Sequence, residues 1–122
     1  MTDPLQGEVW WVDLEPAVGS EANKSRPCIV VGSPAFNRIG LRLVVPLTTW
    51  KTYFVAHPNK IRITHSLENG LDLDSAADGL QLRSVSIERF RYRSGAVSSE
   101  DQVELRHLLA LVLDLELPRD EQ

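Results

Sequence analysis

Short runs of alternating hydrophobic and polar residues recur along the chain and predict a protein built mainly from β-strands. In the first run, residues 7–14, one face carries Trp10, Val12 and Leu14. Five further runs predict strands over residues 28–31, 42–47, 60–64, 80–85 and 93–97. The run over residues 28–31 is rich in β-branched side chains, which is typical of a buried strand.

The segments between these runs have the composition of loops and turns. Residues 15–25 contain the Pro, Gly, Ser and Asn of a long exposed loop, and Asn69-Gly70 indicates a turn. Residues 34–40 predict a turn or a single turn of helix. Residues 48–59 are polar and aromatic with little periodicity, so we interpret them as an excursion close to a functional site.

Residues 99–115 carry the one pattern that predicts a long helix. Ser99 with Gln102 three residues later fits a capping box. A broad apolar stripe that includes Leu105, Leu108 and Val112 follows. The stripe favours packing in a groove of the sheet, and a contact between two copies of the chain is the alternative.

Five or six short strands and a terminal helix predict an α+β fold with a small, strongly bent antiparallel β-barrel. The chain has 122 residues, of which 43% are hydrophobic, so we expect a single domain over residues 1–122. It lacks an apolar run of roughly 18 residues and a signal-peptide pattern, so no membrane association is expected. The lone cysteine, Cys28, excludes an internal disulfide and fits a reducing cytoplasm.

The charge distribution changes how the acidic composition is interpreted. A net charge of −4 and a pI near 5.3 weigh against a nucleic-acid partner. However, residues 22–67 contain no Asp or Glu and carry seven cations, whereas acids concentrate in residues 3–21, in residues 68–78 and in the tail from Glu100 to Glu121. A positive groove is therefore compatible with the acidic average, and cations dispersed over a solvated surface are the alternative.

The chemistry-bearing residues favour arginine and hydroxyl groups at strand ends. His57, His65 and His107 lack zinc-site spacing, and nucleotide-binding and G-x-S-x-G motifs are absent. Arg26 stands between a loop and a buried strand, and Thr48 lies where a strand ends. A guanidinium there suits a phosphate whose charge grows in a transition state. The alternative for Arg26 is an ion pair with Asp13 or Glu21.

Four motifs then follow one another in order: G-E-V-W-W-V-D-L-E-P-A-V-G-S-E from residue 7, S-R-P from residue 25, F-N-R from residue 36 and P-L-T from residue 46. Together with Gln81-Leu82-Arg83 and Arg89, they resemble the MazF/PemK/Kid family of toxin endoribonucleases, the mRNA interferases. The resemblance covers roughly residues 6–115.

This resemblance implies an SH3-like barrel with short helices and a cytoplasmic homodimer that binds single-stranded RNA along the dimer groove. It implies sequence-specific cleavage of mRNA without metal or cofactor. The ribose 2′-OH attacks the adjacent phosphate and leaves a 2′,3′-cyclic phosphate and a 5′-OH. It further implies a type II toxin–antitoxin system, in which the acidic, initially disordered tail of a cognate antitoxin occupies the groove.

Arg26 matches the catalytic arginine of the family, and Thr48 matches the threonine paired with it. The resemblance and the loop positions also predict RNA contacts at Ser20, Glu21, Lys24, Asn37, Lys51, Gln81 and Arg83. One branch of the family uses an acid before the glutamine as base and an arginine as acid, but this chain has Leu80 and Asp78 at those positions. The departure favours the Arg26 and Thr48 pair, and His57 or His65 as the base has no support from a family motif.

Aromatic residues near these sites have two interpretations. Trp50, Tyr53 and Phe54 lie beside Lys51, which suits stacking of unpaired bases, although Phe54 also suits a core position. Trp10 and Trp11 are predicted in the core and in a dimer contact, and Arg89, Arg91 and Arg93 suit a solvated face as well as RNA.

Two other functions remain open at this point. One is a non-catalytic toxin on the same fold that inhibits a protein such as DNA gyrase. The other is an RNA-binding module without turnover. The retained Arg26 and Thr48 favour the nuclease, because a protein-binding surface does not need that pair.

Overall fold

The computed structural model describes residues 2–116, which form seven β-strands and a C-terminal helix. The strands are β1 (Glu8–Asp13), β2 (Ser25–Val30), β3 (Leu41–Thr49), β4 (Lys60–Ile63), β5 (Ser75–Asp78), β6 (Arg83–Ser86) and β7 (Phe90–Ala96), and the helix is α1 (Ser99–Val112). Single 3₁₀ turns lie at Pro34–Phe36, Thr52–Ala56, Gly79–Gln81 and Ile87–Arg89. The predicted α+β fold class is therefore confirmed.

The central strand of the sheet is β3. The strands are antiparallel in the order β4-β5-β3-β2-β1-β7, and β6 pairs with the first half of β3. Strands β6 and β5 thus follow one another along one edge of β3, while β2 occupies the other edge. Over residues 2–116 the sheet does not close, because no pairing joins the terminal strands β4 and β7.

Two hydrophobic clusters lie on opposite faces of β2 and β3. Ile29 and Val45 belong to the cluster that includes Leu105 of α1, whereas their neighbours Cys28 and Val44 belong to the other. Both strands are therefore buried on both faces, which explains their continuous hydrophobic sequences. Burial raises the pKa of the Cys28 thiol to about 12, so the thiol stays protonated at neutral pH.

The expected alternation of β1 is confirmed. Val12 and Leu14 are fully buried in the cluster that contains Cys28, and the half-buried Trp10 packs against the same cluster. Val9 is also fully buried, but it belongs to the cluster on the opposite face. The pairing of β1 with β7 shifts register between Val9 and Trp10 and again between Trp11 and Val12, whereas its pairing with β2 is continuous and keeps the two-residue period.

The strand predicted over residues 80–85 is wrong in its first half, and β5 was missed. The Gly79–Gln81 turn separates β5 from β6, and Asp78 Oδ1 caps it by accepting from the backbone N–H of Leu80 at 3.0 Å. The sequence of β5, Ser-Ala-Ala-Asp, contains no β-branched or aromatic residue, so propensity gave no signal. The last strand, predicted from residue 93, begins at Phe90.

The predicted helix is confirmed and begins at Ser99 as expected, but it is shorter at its C-terminal end. It stops at Val112, and its N-cap is Ser98, whose Oγ accepts from the backbone N–H of Asp101 at 3.1 Å, so the capping box at Ser99 is wrong. Leu105 and Leu108 are buried, and α1 contacts β4 and the Gly79–Gln81 turn.

The expected packing of the helix on the sheet is therefore confirmed. None of the described helices is long and apolar enough to cross a membrane. The acidic tail is described only in part, because Arg119, Asp120 and Glu121 lie outside the described residues.

Replacement of Gly70 by alanine is expected to destabilise the fold. Gly70 has φ +69°, and a Cβ there would lie 2.0 Å from the backbone oxygen of Ser94. Gly70→Ala should lower the free energy of unfolding by at least about 2 kcal/mol in urea denaturation. The matched control is Gly40→Ala, where a Cβ meets no atom within 4 Å, and a comparable loss in both variants would contradict the assigned strain.

Candidate active site

Strand register brings Arg26 and Thr48 together. In the antiparallel pairing of β2 with β3, Cys28 lies opposite Pro46. Continuing this register by two residues places Arg26 opposite Thr48 on the same face, and both residues line the same pockets. The hydrogen-bonded pairing stops before this position, so the strands leave space between them.

Two pockets meet at this pair. The first, the edge pocket, has a volume of about 390 Å³, and its walls include Trp11, Tyr92 and residues 70–73. The second, the loop pocket, has a volume of about 230 Å³ and lies beside the loop between β1 and β2. Both are lined by Arg26, Leu47 and Thr48. Together they form one two-lobed groove with the predicted catalytic pair at its junction.

The guanidinium of Arg26 is held by Asn23. Arg26 Nε donates to the backbone oxygen of Asn23 at 2.8 Å, and Nη2 donates to Asn23 Oδ1 at 3.2 Å. No carboxylate of residues 2–116 lies within 4 Å of the guanidinium, so the alternative ion pair with Asp13 or Glu21 is wrong. The positive charge of Arg26 therefore remains available to an anionic ligand.

Asp13 has a different partner. Its Oδ2 pairs with Arg91 Nη2 at 3.1 Å. The backbone N–H of Glu15 and then the guanidinium of Arg91 hold the pKa of Asp13 below its ordinary value, so its carboxylate is ionised at neutral pH.

Three of the predicted RNA contacts line the loop pocket: Ser20, Glu21 and Gln81. The amide of Gln81 is bonded to the loop itself. Gln81 Nε2 donates to the backbone oxygen of Ser20, and Gln81 Oε1 accepts from the backbone N–H of Ala22, both at 2.8 Å. The structure thus gives Gln81 a role within the protein that its motif did not indicate.

The other predicted contacts lie outside the two lobes. Lys24 is exposed with φ +63°, and Lys51 is exposed just after β3. Arg83 Nη1 donates to the backbone oxygen of Leu14 at 3.4 Å. Asn37 lines a separate pocket of about 210 Å³, which also includes Phe36, Ile39 and Leu43.

The three arginines of the last strand region are bonded within the protein. Arg89 Nη1 donates to the backbone oxygens of Asp13 and Glu15, while Arg91 pairs with Asp13 and Arg93 with Glu8. These contacts join β7 and the turn before it to β1 and the start of the loop, so the positive charges of Arg91 and Arg93 are locally balanced.

The aromatic residues occupy two surfaces beside the groove. Trp11 stacks on Tyr92 with ring centroids 5.9 Å apart, and both line the edge pocket, so Trp11 contributes to the site as well as to packing. Phe54 is half-buried against Trp50 and Tyr53, outside the two core clusters. Sequence reasoning missed the edge-pocket wall because Tyr92 and residues 70–73 come from distant segments.

Asp74 connects three segments next to the edge pocket. Its Oδ2 accepts from Arg62 Nη2 at 2.5 Å, its Oδ1 lies 2.5 Å from His65 Nδ1, and its backbone oxygen accepts from the N–H of Trp50 at 2.9 Å. The guanidinium of Arg62 lies 5.6 Å from the centroid of the Trp50 ring. Bonds from the His65 side chain and backbone, and then from Arg62, hold the pKa of Asp74 well below its ordinary value. Over residues 2–116 no group of three His, Cys, Asp or Glu side chains is placed to hold a metal ion.

The sequence of this chain is similar to those of known proteins. Residues 5–113 match the family profile described as PemK-like, MazF-like toxin of type II toxin-antitoxin system. The chain is 37% identical over 116 residues to endoribonuclease MazF9 of Mycobacterium tuberculosis, covering 90% of this chain and 96% of that protein. It is also 43% identical over 49 residues to endoribonuclease PemK of Escherichia coli, covering 39% of this chain and 37% of PemK.

Solved structures share the fold at lower sequence identity. MazF of Deinococcus radiodurans superposes with a TM-score of 0.77 at 21% identity, covering 92% of this chain and 97% of that one. A mycobacterial endoribonuclease in complex with its cognate antitoxin superposes with a TM-score of 0.74 at 22% identity, covering 94% and 99% of the two chains.

The Asp74 contacts give a pH-dependent prediction. Because the folded-state pKa of Asp74 lies below its unfolded-state value, its ion pair stabilises the protein above about pH 4 and less as pH falls. The difference in unfolding free energy between the wild type and Asp74→Asn should therefore shrink from about pH 5 to about pH 2 in urea denaturation. Asp72→Asn, at an exposed neighbour, is the control. A difference that does not change with pH would contradict the assigned ionisation.

Proposed function

The chain belongs to the family of PemK-like, MazF-like toxins of type II toxin–antitoxin systems and is a toxin endoribonuclease; we propose that it cuts single-stranded mRNA at a short sequence in the two-lobed groove. The observation that carries this proposal is the position of Arg26. Its guanidinium lies opposite Thr48 at the junction of the two pockets and has no carboxylate partner within residues 2–116.

Arg26 supplies electrostatic stabilisation. When the ribose 2′-oxygen attacks the adjacent phosphorus, negative charge grows on the non-bridging oxygens. A guanidinium already oriented by Asn23 binds those oxygens without reorganising during the step. Its pKa above about 12 makes it a poor general base, so the charge-stabilising role is the one that the chemistry favours.

Thr48 supplies a second donor at the same phosphate. Its hydroxyl donates to a non-bridging oxygen from the rigid strand β3, which fixes its direction. The bond from the 2′-oxygen to phosphorus forms while the bond to the 5′-oxygen breaks. The 2′-OH loses its proton and the departing 5′-oxygen gains one, which leaves a 2′,3′-cyclic phosphate and a 5′-OH. No step in this sequence requires a metal ion or cofactor.

The surroundings of Leu80 and Asp78 agree with this assignment. Leu80 is exposed and cannot exchange protons, and Asp78 is bonded to Asn59 and to Lys60, whose Nζ lies 3.6 Å from its Oδ2. His65 is bonded to Asp74, and His57 Nδ1 lies 3.4 Å from Lys60 Nζ. Arg26 and Thr48 therefore remain the pair of side chains that line one groove and keep hydrogen-bond donors available to a substrate.

RNA passes through both lobes in this proposal. Ser20 and Glu21 at the loop pocket contact base edges, where an acidic side chain accepts from an exocyclic amine. Lys24, Lys51 and Arg83 supply positive charge around the groove. Trp11 and Tyr92 in the edge pocket, and Trp50 beside Arg62, offer ring faces to unpaired bases. Asn37 would contact RNA only along a path extended toward its separate pocket.

The proposal includes the assembly and the setting of the protein. We infer a single toxin domain over residues 1–122, an SH3-like curvature of the sheet, and a homodimer in which the grooves of two copies join. A cognate antitoxin with an acidic segment would compete with RNA for Arg26 and for the cations that surround the groove. Because mRNA is the substrate, the toxin acts in the cytoplasm.

Cleavage of a long RNA in the presence of EDTA tests the active site. The wild type should produce 5′-OH and 2′,3′-cyclic phosphate ends, Arg26→Ala should lose about 100-fold or more in rate, and Thr48→Val about 10-fold or more. Arg38→Ala removes an exposed arginine that lines neither lobe of the groove and should leave the rate unchanged.

Three outcomes would contradict these assignments. Intact RNA at equimolar wild-type protein would exclude the nuclease. Cleavage at the wild-type rate by Arg26→Ala would exclude the assigned site. Ends that carry a 5′-phosphate would replace the proposed attack by the 2′-OH with hydrolysis by water.

Salt dependence tests the cations around the groove separately from chemistry. In an Arg26→Ala background, which binds RNA without cutting it, Lys51→Ala should reduce the slope of log affinity against log salt by about 0.7. Fluorescence anisotropy with a labelled single strand measures both slopes, and Arg38→Ala in the same background should leave the slope unchanged. Equal slopes in all three proteins would remove Lys51 from the RNA path.

A further inference from the structure

The loop between β1 and β2, residues 14–24, is bonded to other segments at its start and near its middle, and its two ends are bonded to each other. Arg89 bonds the backbone at its start, and Glu15 Oε1 accepts from the backbone N–H of Lys24 at 2.7 Å. Between these points, Gln81 bonds the backbone of Ser20 and Ala22. The loop therefore depends on Gln81 for the position of its second half.

Gln81 is itself held in place. It ends the Gly79–Gln81 turn, which is capped by Asp78, and Asp78 Oδ1 also accepts from Asn59 Nδ2 at 2.8 Å. Its amide uses one donor and one acceptor on loop backbone atoms that are two residues apart. A paired contact of this kind fixes both the distance and the orientation of the loop relative to the sheet.

Asn23, which follows Ala22 in the loop, holds the guanidinium of Arg26. Its backbone oxygen accepts from Arg26 Nε at 2.8 Å and its Oδ1 accepts from Nη2 at 3.2 Å. A continuous series of hydrogen bonds and one peptide link thus runs from Gln81 through Ala22 and Asn23 to the guanidinium. Arg26 Nη1 has no bond to residues 2–116 and is free for a phosphate oxygen.

We propose that Gln81 is a positioning residue, which holds the loop so that Asn23 orients the guanidinium of Arg26. This proposal rests on the proposed function for its kinetic consequences, but the geometry it assigns is independent of them. It differs from a direct contact between Gln81 and RNA, because the carbonyl and amino groups of the amide are already bonded to the loop. Loss of these bonds should displace Arg26 without removing any group that touches the phosphate.

The decisive variant is Gln81→Met, which keeps the length of the side chain and loses both bonds. Its turnover number should fall about 10- to 100-fold, the range expected when a catalytic group moves by about 1 Å. RNA affinity, compared between Arg26→Ala and the Arg26→Ala, Gln81→Met double variant, should change by less than about twofold. Gln81→Glu keeps the acceptor for Ala22 and loses the donor, so its turnover should be intermediate.

A spectroscopic measurement reads the geometry directly. The Nε–H resonance of Arg26, identified by its absence in Arg26→Ala, should show slow exchange with water in the wild type because it donates to Asn23. Gln81→Met should accelerate that exchange, and Asn23→Ala should shift the same resonance while leaving Gln81 bonded to the loop. Gln6→Met is the matched control, since Gln6 also donates its amide to a distant backbone oxygen, that of Val31.

The possible results separate the proposal from its alternatives. Several-fold weaker RNA binding on adding Gln81→Met to Arg26→Ala would establish a direct contact and overturn the positioning role. An unchanged Arg26 Nε–H exchange rate in Gln81→Met, with a thermal unfolding midpoint equal to that of the wild type, would also overturn it. If Gln81→Met does not fold, the resonance shift in Asn23→Ala decides whether the loop orients Arg26. A wild type that cuts no RNA would refute the proposed function, while the exchange measurement would still decide the role of Gln81.

Discussion

The pairing of β3 along both of its edges is the constraint on which the rest of the structure depends. Its nine residues pair with β2 on one edge and with β6 and then β5 on the other. Val44, Val45 and Leu47 are fully buried, and each contributes about 1.5–3 kcal/mol by burial. Thr48 lies just beyond this buried stretch, so the same strand that organises the core also fixes one half of the proposed catalytic pair.

Much of this fold could be predicted from sequence, and the failures have local physical causes. The strands with β-branched or alternating residues and the amphipathic helix were predicted within a few residues. Strand β5 was missed because alanines pack there without a β signature, and the burial of Val9 was missed because β1 packs against a hydrophobic cluster on each of its faces. Closure of the predicted barrel depends on long-range pairing that a residue pattern does not specify.

In the candidate site, too, some features could be predicted from the sequence and others could not. Arg26 and Thr48 were found through motifs, and the strand register places them opposite one another. What Arg26 contacts could not be predicted, because distance along the sequence does not show which of Asp13, Glu21 and Asn23 the guanidinium reaches. The structure pairs Asp13 with Arg91, and neither Arg26 nor Glu21 has an ion-pair partner among residues 2–116. The groove itself is lined by the cation Arg26 and by three acids, Glu21, Asp72 and Asp78, so the expected positive groove is reduced to one cation at its junction.

Most bonds that hold the loop between β1 and β2 end on its backbone: Gln81 bonds Ser20 and Ala22, and Arg89 bonds Asp13 and Glu15. The side chains of Ser20 and Glu21 take no part in these contacts, whereas Ala22 packs against the cluster that contains Cys28. Substitutions at Ser20 and Glu21 can thus change the lining of the loop pocket and leave the bonds that orient Arg26 intact. Under the proposed function, base preference and catalytic geometry are separable in this chain, and its sequence specificity could diverge in evolution without loss of catalysis.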